Sequence, residues 1–91
     1  MEKMVVFQIP SVGLSLQRII EFVQLNTLFQ SEIYLIKNKQ RFNAKSITSI
    51  VSVVFTSKKE EEFIISVKGQ NAEKDINKII DFFGNNKLRI Q

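Results

Sequence analysis

The stretch Asn43-Ala44-Lys45-Ser46-Ile47 stands where a strand-like run, Gln40 to Asn43, gives way to a compact apolar segment ending at Phe55. A serine at such a junction is the usual helix N-cap, because its hydroxyl oxygen accepts a free N–H of the first turn. The segment behind it pulls two ways. Ile47, Thr48, Ile50, Val51, Val53 and Val54 are β-branched and weak helix formers, so propensity favours a strand. Ile47, Ile50, Val51 and Val54 nevertheless share one helical face, which favours a short helix to about Val53.

Upstream, Val5, Phe7 and Ile9 alternate with Met4, Val6 and Gln8, which predicts a strand from Met4 to Ile9 with the first three inward. Pro10 ends it, having no N–H for a ladder. After a loop at Ser11 to Leu14, Ser15 is the natural cap of a helix whose stripe is Leu16, Ile19, Ile20 and Val23, closed by Phe29. Ser31 to Lys37 reads as a second strand with Ile33 and Leu35 inward, turning at Asn38 and Lys39 into the third.

Downstream, Lys58 to Glu62 reads as a solvated loop and Phe63 to Val67 as a strand. Ala72, Ile76, Ile79, Ile80 and Phe83 then mark one face of a final helix, capped by Asn71 and stopped by Gly84. Glu73 and Asp75 fall in its first turn, where the helix dipole favours negative charge. The order strand, helix, strand, strand, helix, strand, helix predicts an α+β fold with helices on one face of an antiparallel sheet. Met4, Val6, Tyr34, Ile36 and Ile64 then point to the other face, an apolar patch that predicts self-association or a protein partner.

Ninety-one residues make one domain, spanning 1–91. The hydrophobic share of 44% and charged share of 24% are those of an ordinary globular protein, and no apolar run approaches the roughly 20 residues needed to span a bilayer. The N-terminus lacks a secretory signal pattern, so a cytoplasmic location is expected. With neither cysteine nor histidine, disulfides and the common zinc and iron-sulfur sites are excluded, and no metal or cofactor is expected. The net charge of +4 is scattered, a weak basis for nucleic-acid binding. Glu60, Glu61 and Glu62 lie together in a charged loop without the apolar surroundings that tune catalytic carboxylates. No Gly-rich phosphate loop or nucleophile elbow is present, and the protein is expected not to be an enzyme.

Asn43-Ala44-Lys45-Ser46-Ile47 resembles the regulatory serine segment of HPr-like phosphocarriers, especially of the non-carrier, Crh-type branch. Gly13-Leu14 opening an apolar helix, the strand Ser31 to Leu35 and a Gly69 turn before the last helix fall in that family's order. The resemblance implies an open-faced β-sandwich, βαββαβα, with four antiparallel strands and three helices on one face. It also decides the segment after Ser46 in favour of a helix. In the family, a phosphorylatable histidine follows Gly-Leu, with an arginine two residues on. Here the residues are Ser15-Leu16-Gln17-Arg18-Ile19, with serine in the histidine's place and the arginine displaced by one.

What the resemblance implies is a regulatory protein of carbon catabolite repression, phosphorylated on Ser46. Its implied partners are the bifunctional HPr kinase/phosphorylase and a LacI-type catabolite control transcription factor. Lys45, Ile47 and Val51 beside the serine, with Ser15 and Arg18 at the first helix, are the expected partner-binding residues. A homodimer is a further expectation. The alternatives are an unphosphorylated interaction protein of the same fold and a phosphocarrier of the sugar phosphotransferase system. The last requires a nucleophile that a capping serine does not supply, since a phosphoserine ester would trap the group.

Overall fold

Alternating apolar residues become the inner face of a sheet in the computed structural model, which describes residues 1–10, 13–84 and 88–90. β1 (Glu2–Gln8), β2 (Glu32–Lys37), β3 (Gln40–Asn43) and β4 (Glu62–Lys68) build the four-stranded antiparallel sheet. α1 (Leu16–Thr27), α2 (Ile47–Phe55) and α3 (Ala72–Phe83) pack on one face of it. A three-residue strand, β5 (Leu88–Ile90), adds antiparallel to the outer edge of β1 opposite Val5–Phe7 and gives the order β3-β2-β4-β1-β5. This fifth strand was not legible in the periodicity, because three residues are too few to show one.

The inward sets are as expected: Val5, Phe7, Ile9, Ile33, Leu35, Phe63, Ile65 and Val67 are all buried. The β2–β3 turn runs through Asn38 and Lys39, both at positive φ (52° and 66°), the conformation of a two-residue hairpin loop. Two helical positions differ from expectation. Leu16 is 49% exposed, and Phe22 is buried in the α1 stripe instead. Asn71 stands at the N-cap of α3 without a side-chain cap bond. The buried Asp75 anchors that first turn, accepting the hydroxyl of Ser31 at 2.6 Å.

α2 is helical along its whole length, two residues past Val53. Each β-branched residue costs about 0.5 kcal/mol of helix propensity, whereas burying an Ile or Val side chain returns roughly 1.5–3 kcal/mol. Ile50, Val53 and Val54 are all buried, so packing overrides propensity. Thr56 and Ser57 close the helix by donating their hydroxyls to the carbonyls of Ser52 (2.9 Å) and Val53 (2.5 Å).

The tract Lys58 to Glu62 is more ordered than a solvated loop. Ile9 N–H donates to the Glu61 carbonyl and Glu60 N–H to the Ile9 carbonyl, each at 3.0 Å, so the tract continues the β1–β4 pairing. The Glu61 carboxylate accepts the Lys58 N–H at 2.9 Å and pairs with Lys37 at 3.0 Å. The Lys58 amide first, then Lys37, holds its pKa below the ordinary value. A lowered folded-state pKa contributes stability above the unfolded carboxyl range, lost as pH falls through the folded value. Lys37→Met is therefore expected to shrink the fall in Tm between pH 7 and pH 3, measured by circular dichroism; an unchanged fall would mean that the pair contributes nothing.

Candidate functional site

At the start of α1, Gly13 takes a positive φ of 82° and Ser15 an extended conformation. The Ser15 hydroxyl accepts the Arg18 N–H at 3.1 Å, a bond of normal length that fixes the oxygen toward the helix. Arg18 is equally committed. Its guanidinium pairs with Glu21 at 3.3 Å, donates to the Phe82 carbonyl and lies 3.7 Å from the centre of the Phe82 ring. Arg18 thus ties α1 to the end of α3, where Phe82 and Phe83 join Phe7 and Phe22 in one aromatic cluster.

At the start of α2, Ser46 is held far more loosely. Its hydroxyl accepts the Ser49 N–H at 3.5 Å and lies 3.4 Å from the Thr48 hydroxyl, both at the outer limit of a hydrogen bond. The backbone around it is tightly set. Asn43 accepts the Lys45 N–H on its side chain at 2.9 Å and the Ser46 N–H on its carbonyl at 3.1 Å, while the buried Ala44 donates to the Ile33 carbonyl at 2.8 Å. The buried Asn26 of α1 donates to the Ala44 carbonyl at 3.1 Å, and Lys45 Nζ to the Phe29 carbonyl at 2.6 Å. A rigid frame therefore presents a serine whose own oxygen is weakly engaged.

Of the residues expected to meet partners, Ser15 and Ile47 are exposed and Val51 is half-buried against the core. Arg18 and Lys45 both turn their cationic ends to carbonyls of this chain, and α1 separates them. Its 12 residues span about 18 Å at 1.5 Å per residue, so the two cations do not converge on one site. Phe55, 56% exposed, was missed. It follows Ile47 and Val51 at i+8 and i+4 and completes an apolar stripe that leads away from Ser46.

No curated protein sequence matches the chain. Among solved structures, it resembles the histidine-containing phosphocarrier protein of a mycoplasma (TM-score 0.77, 25% identity, 98% of each chain covered). It also resembles HPr-C-His from Thermoanaerobacter tengcongensis (TM-score 0.70, 27% identity, 89% of this chain and 88% of that one). A third is Crh, the catabolite repression protein of Bacillus subtilis, described as a dimer with a swapping domain (TM-score 0.65, 26% identity, 77% and 78%). The family model for the PTS HPr component phosphorylation site matches residues 3–85. A match over that much of the chain, on a fold with a serine at the head of both α1 and α2, makes this protein a member of the HPr family.

Proposed function

We propose that this chain is a non-catalytic regulatory member of the family, of the Crh type, switched by phosphorylation of Ser46 and acting in carbon catabolite regulation through protein contacts. The observation that carries the proposal is the contrast between its two capping serines. Ser15, in the place of the carrier histidine, has its oxygen fixed by a normal cap bond, and the chain contains no histidine to replace it. Ser46 heads α2 with a loosely held oxygen beside the exposed Ile47. An HPr kinase/phosphorylase is the proposed modifying enzyme and a LacI-type transcription factor the proposed reader, with Ile47, Val51 and Phe55 as the apolar contacts. A cytoplasmic site of action belongs to the same proposal.

Incubation with HPr kinase and ATP, followed by mass spectrometry, tests it: one phosphate on Ser46 is expected, and an unmodified chain would overturn it. A second incubation, with phosphoenolpyruvate and the general phosphotransferase enzyme, is expected to leave the mass unchanged. A phosphoryl group gained there would restore the carrier function.

The outer face of the sheet favours a second mode of contact. Met4, Ser66 and Tyr34 stand in register across β1, β4 and β2, and Val6, Ile64 and Ile36 form the next row. Val6 and Ser66 are buried, contrary to expectation for Val6, and the half-buried Met4, Tyr34, Ile36 and Ile64 leave the apolar surface available for a contact. Crh and one T. tengcongensis HPr similar to this chain are dimers. Self-association through this face is expected by light scattering at high concentration and is expected to be lost in Ile36→Lys; a monomeric wild type would exclude it.

A further inference from the structure

The polar bonds that frame Ser46 also join it to the far end of α1. Lys45 Nζ reaches the Phe29 carbonyl in the connection between α1 and β2, and this is a charge spent on a neutral acceptor. Next to it, Asn26 gives its amide N–H to Ala44 while its buried Oδ1 has no partner among the described residues. An orphaned buried acceptor costs free energy, so this junction is held by fewer bonds than it has groups to bond. The Lys45 backbone is fixed by the Asn43 side chain, whereas its flexible four-carbon arm is held at the far end by the single bond to Phe29.

We propose that Lys45 is an internal sensor of phosphate on Ser46, exchanging the Phe29 carbonyl for the phosphate and loosening the α1–β2 connection. The inference rests on Ser46 phosphorylation as proposed above. A phosphate one residue away offers Lys45 up to two negative charges and three acceptor oxygens in place of one neutral carbonyl. The bond to Phe29 is already charge-assisted through its ammonium donor, and the phosphate adds the attraction of opposite charges, which a neutral carbonyl does not offer. The Phe29 ring stays in place, buried and with Lys78 of α3 5.9 Å from its centre, so loosening is confined to the backbone. What the change reaches at the surface is Leu28, 79% exposed, whose N–H closes the last turn of α1 on the Leu25 carbonyl. Phosphorylation then alters two surfaces: the serine itself and the apolar corner at Leu28.

The test uses full-length chain with phosphoserine placed at 46 during synthesis, so that it runs whether or not any kinase modifies the protein. Amide hydrogen exchange at Leu28 and Phe29, with the Phe29 carbonyl 13C shift, reports the connection. Phosphoserine is expected to speed exchange about tenfold or more, the factor for losing one hydrogen bond with a charged partner of ~1.5 kcal/mol, and to move the carbonyl shift. Lys45→Met is expected to show the faster exchange without phosphate and no further change with it, and Lys45→Gln provides a second variant. Exchange and carbonyl shift unaltered by phosphoserine would overturn the inference, as would an equal response in Lys45→Met. Failure of HPr kinase to modify Ser46 would instead count against the proposed function alone.

Discussion

Ser46→Ala is expected to reduce phosphate incorporation by HPr kinase from one per chain to none. Thr48 and Ser52 also expose hydroxyls on α2, but both lie within the helix, where the backbone is closed into its ladder. Ser46 alone on that helix combines an extended backbone with a weakly engaged oxygen. Alanine also removes a cap, at a cost of about 0.5–2 kcal/mol, toward the low end here because the cap bond is 3.5 Å long. Ser46→Asp keeps a capping oxygen and places negative charge at the positive end of the helix dipole, worth ~0.3–1 kcal/mol. Its Tm is therefore expected within a few degrees of the wild type, at roughly 4–8 °C per kcal/mol for a domain of this size. Mass spectrometry of the alanine variant decides the assignment, since phosphate on Thr48, Ser52 or any other residue would refute it.

Phe63→Ala is expected to be the most damaging change in the core, lowering stability by about 3–5 kcal/mol and Tm by about 12 °C or more. The ring is 1% exposed and pairs with Phe7 across β1 and β4, under the aromatic residues that end α3. Truncation leaves a cavity between the sheet and two helices that rigid strands cannot close. Phe63→Leu keeps most of the volume and is expected to cost less than about 1.5 kcal/mol. Urea unfolding of the two variants gives the comparison, and a loss near 1 kcal/mol for alanine would mean that the helices collapse onto the gap.

Most of the architecture is written in short-range periodicity. Val5, Phe7 and Ile9, or Ala72, Ile76 and Ile79, declare their face because neighbours at period 2 or 3.6 meet one core. α2 is different: its β-branched residues contradict its state, the shared face of Ile47, Ile50, Val51 and Val54 pointed the other way, and only similarity to a known family decided for a helix. Packing of Ile50, Val53 and Val54 is a tertiary effect with no local signature. Leu16 and Phe22 show the same limit, since both suit an apolar stripe and only tertiary packing decides which is covered. Both capping serines were legible because a cap is a local bond. The fates of Lys45 and Arg18 were not, because their carbonyl partners lie 16 and 64 residues away in sequence.

β5 bears on how molecules of this protein can assemble. A sheet that grows by edge pairing needs two open edges per copy, and one of the two edges here is β5 itself, only three residues long, the kind of short edge strand that resists strand addition. The other edge is β3, four residues long, which carries Arg41 and ends three residues before Ser46. β3 is the longer of the two edges, and a symmetric pair joined through it uses it up. Such pairing closes at two copies instead of propagating into a fibre, and it brings both copies of Ser46 close to the seam.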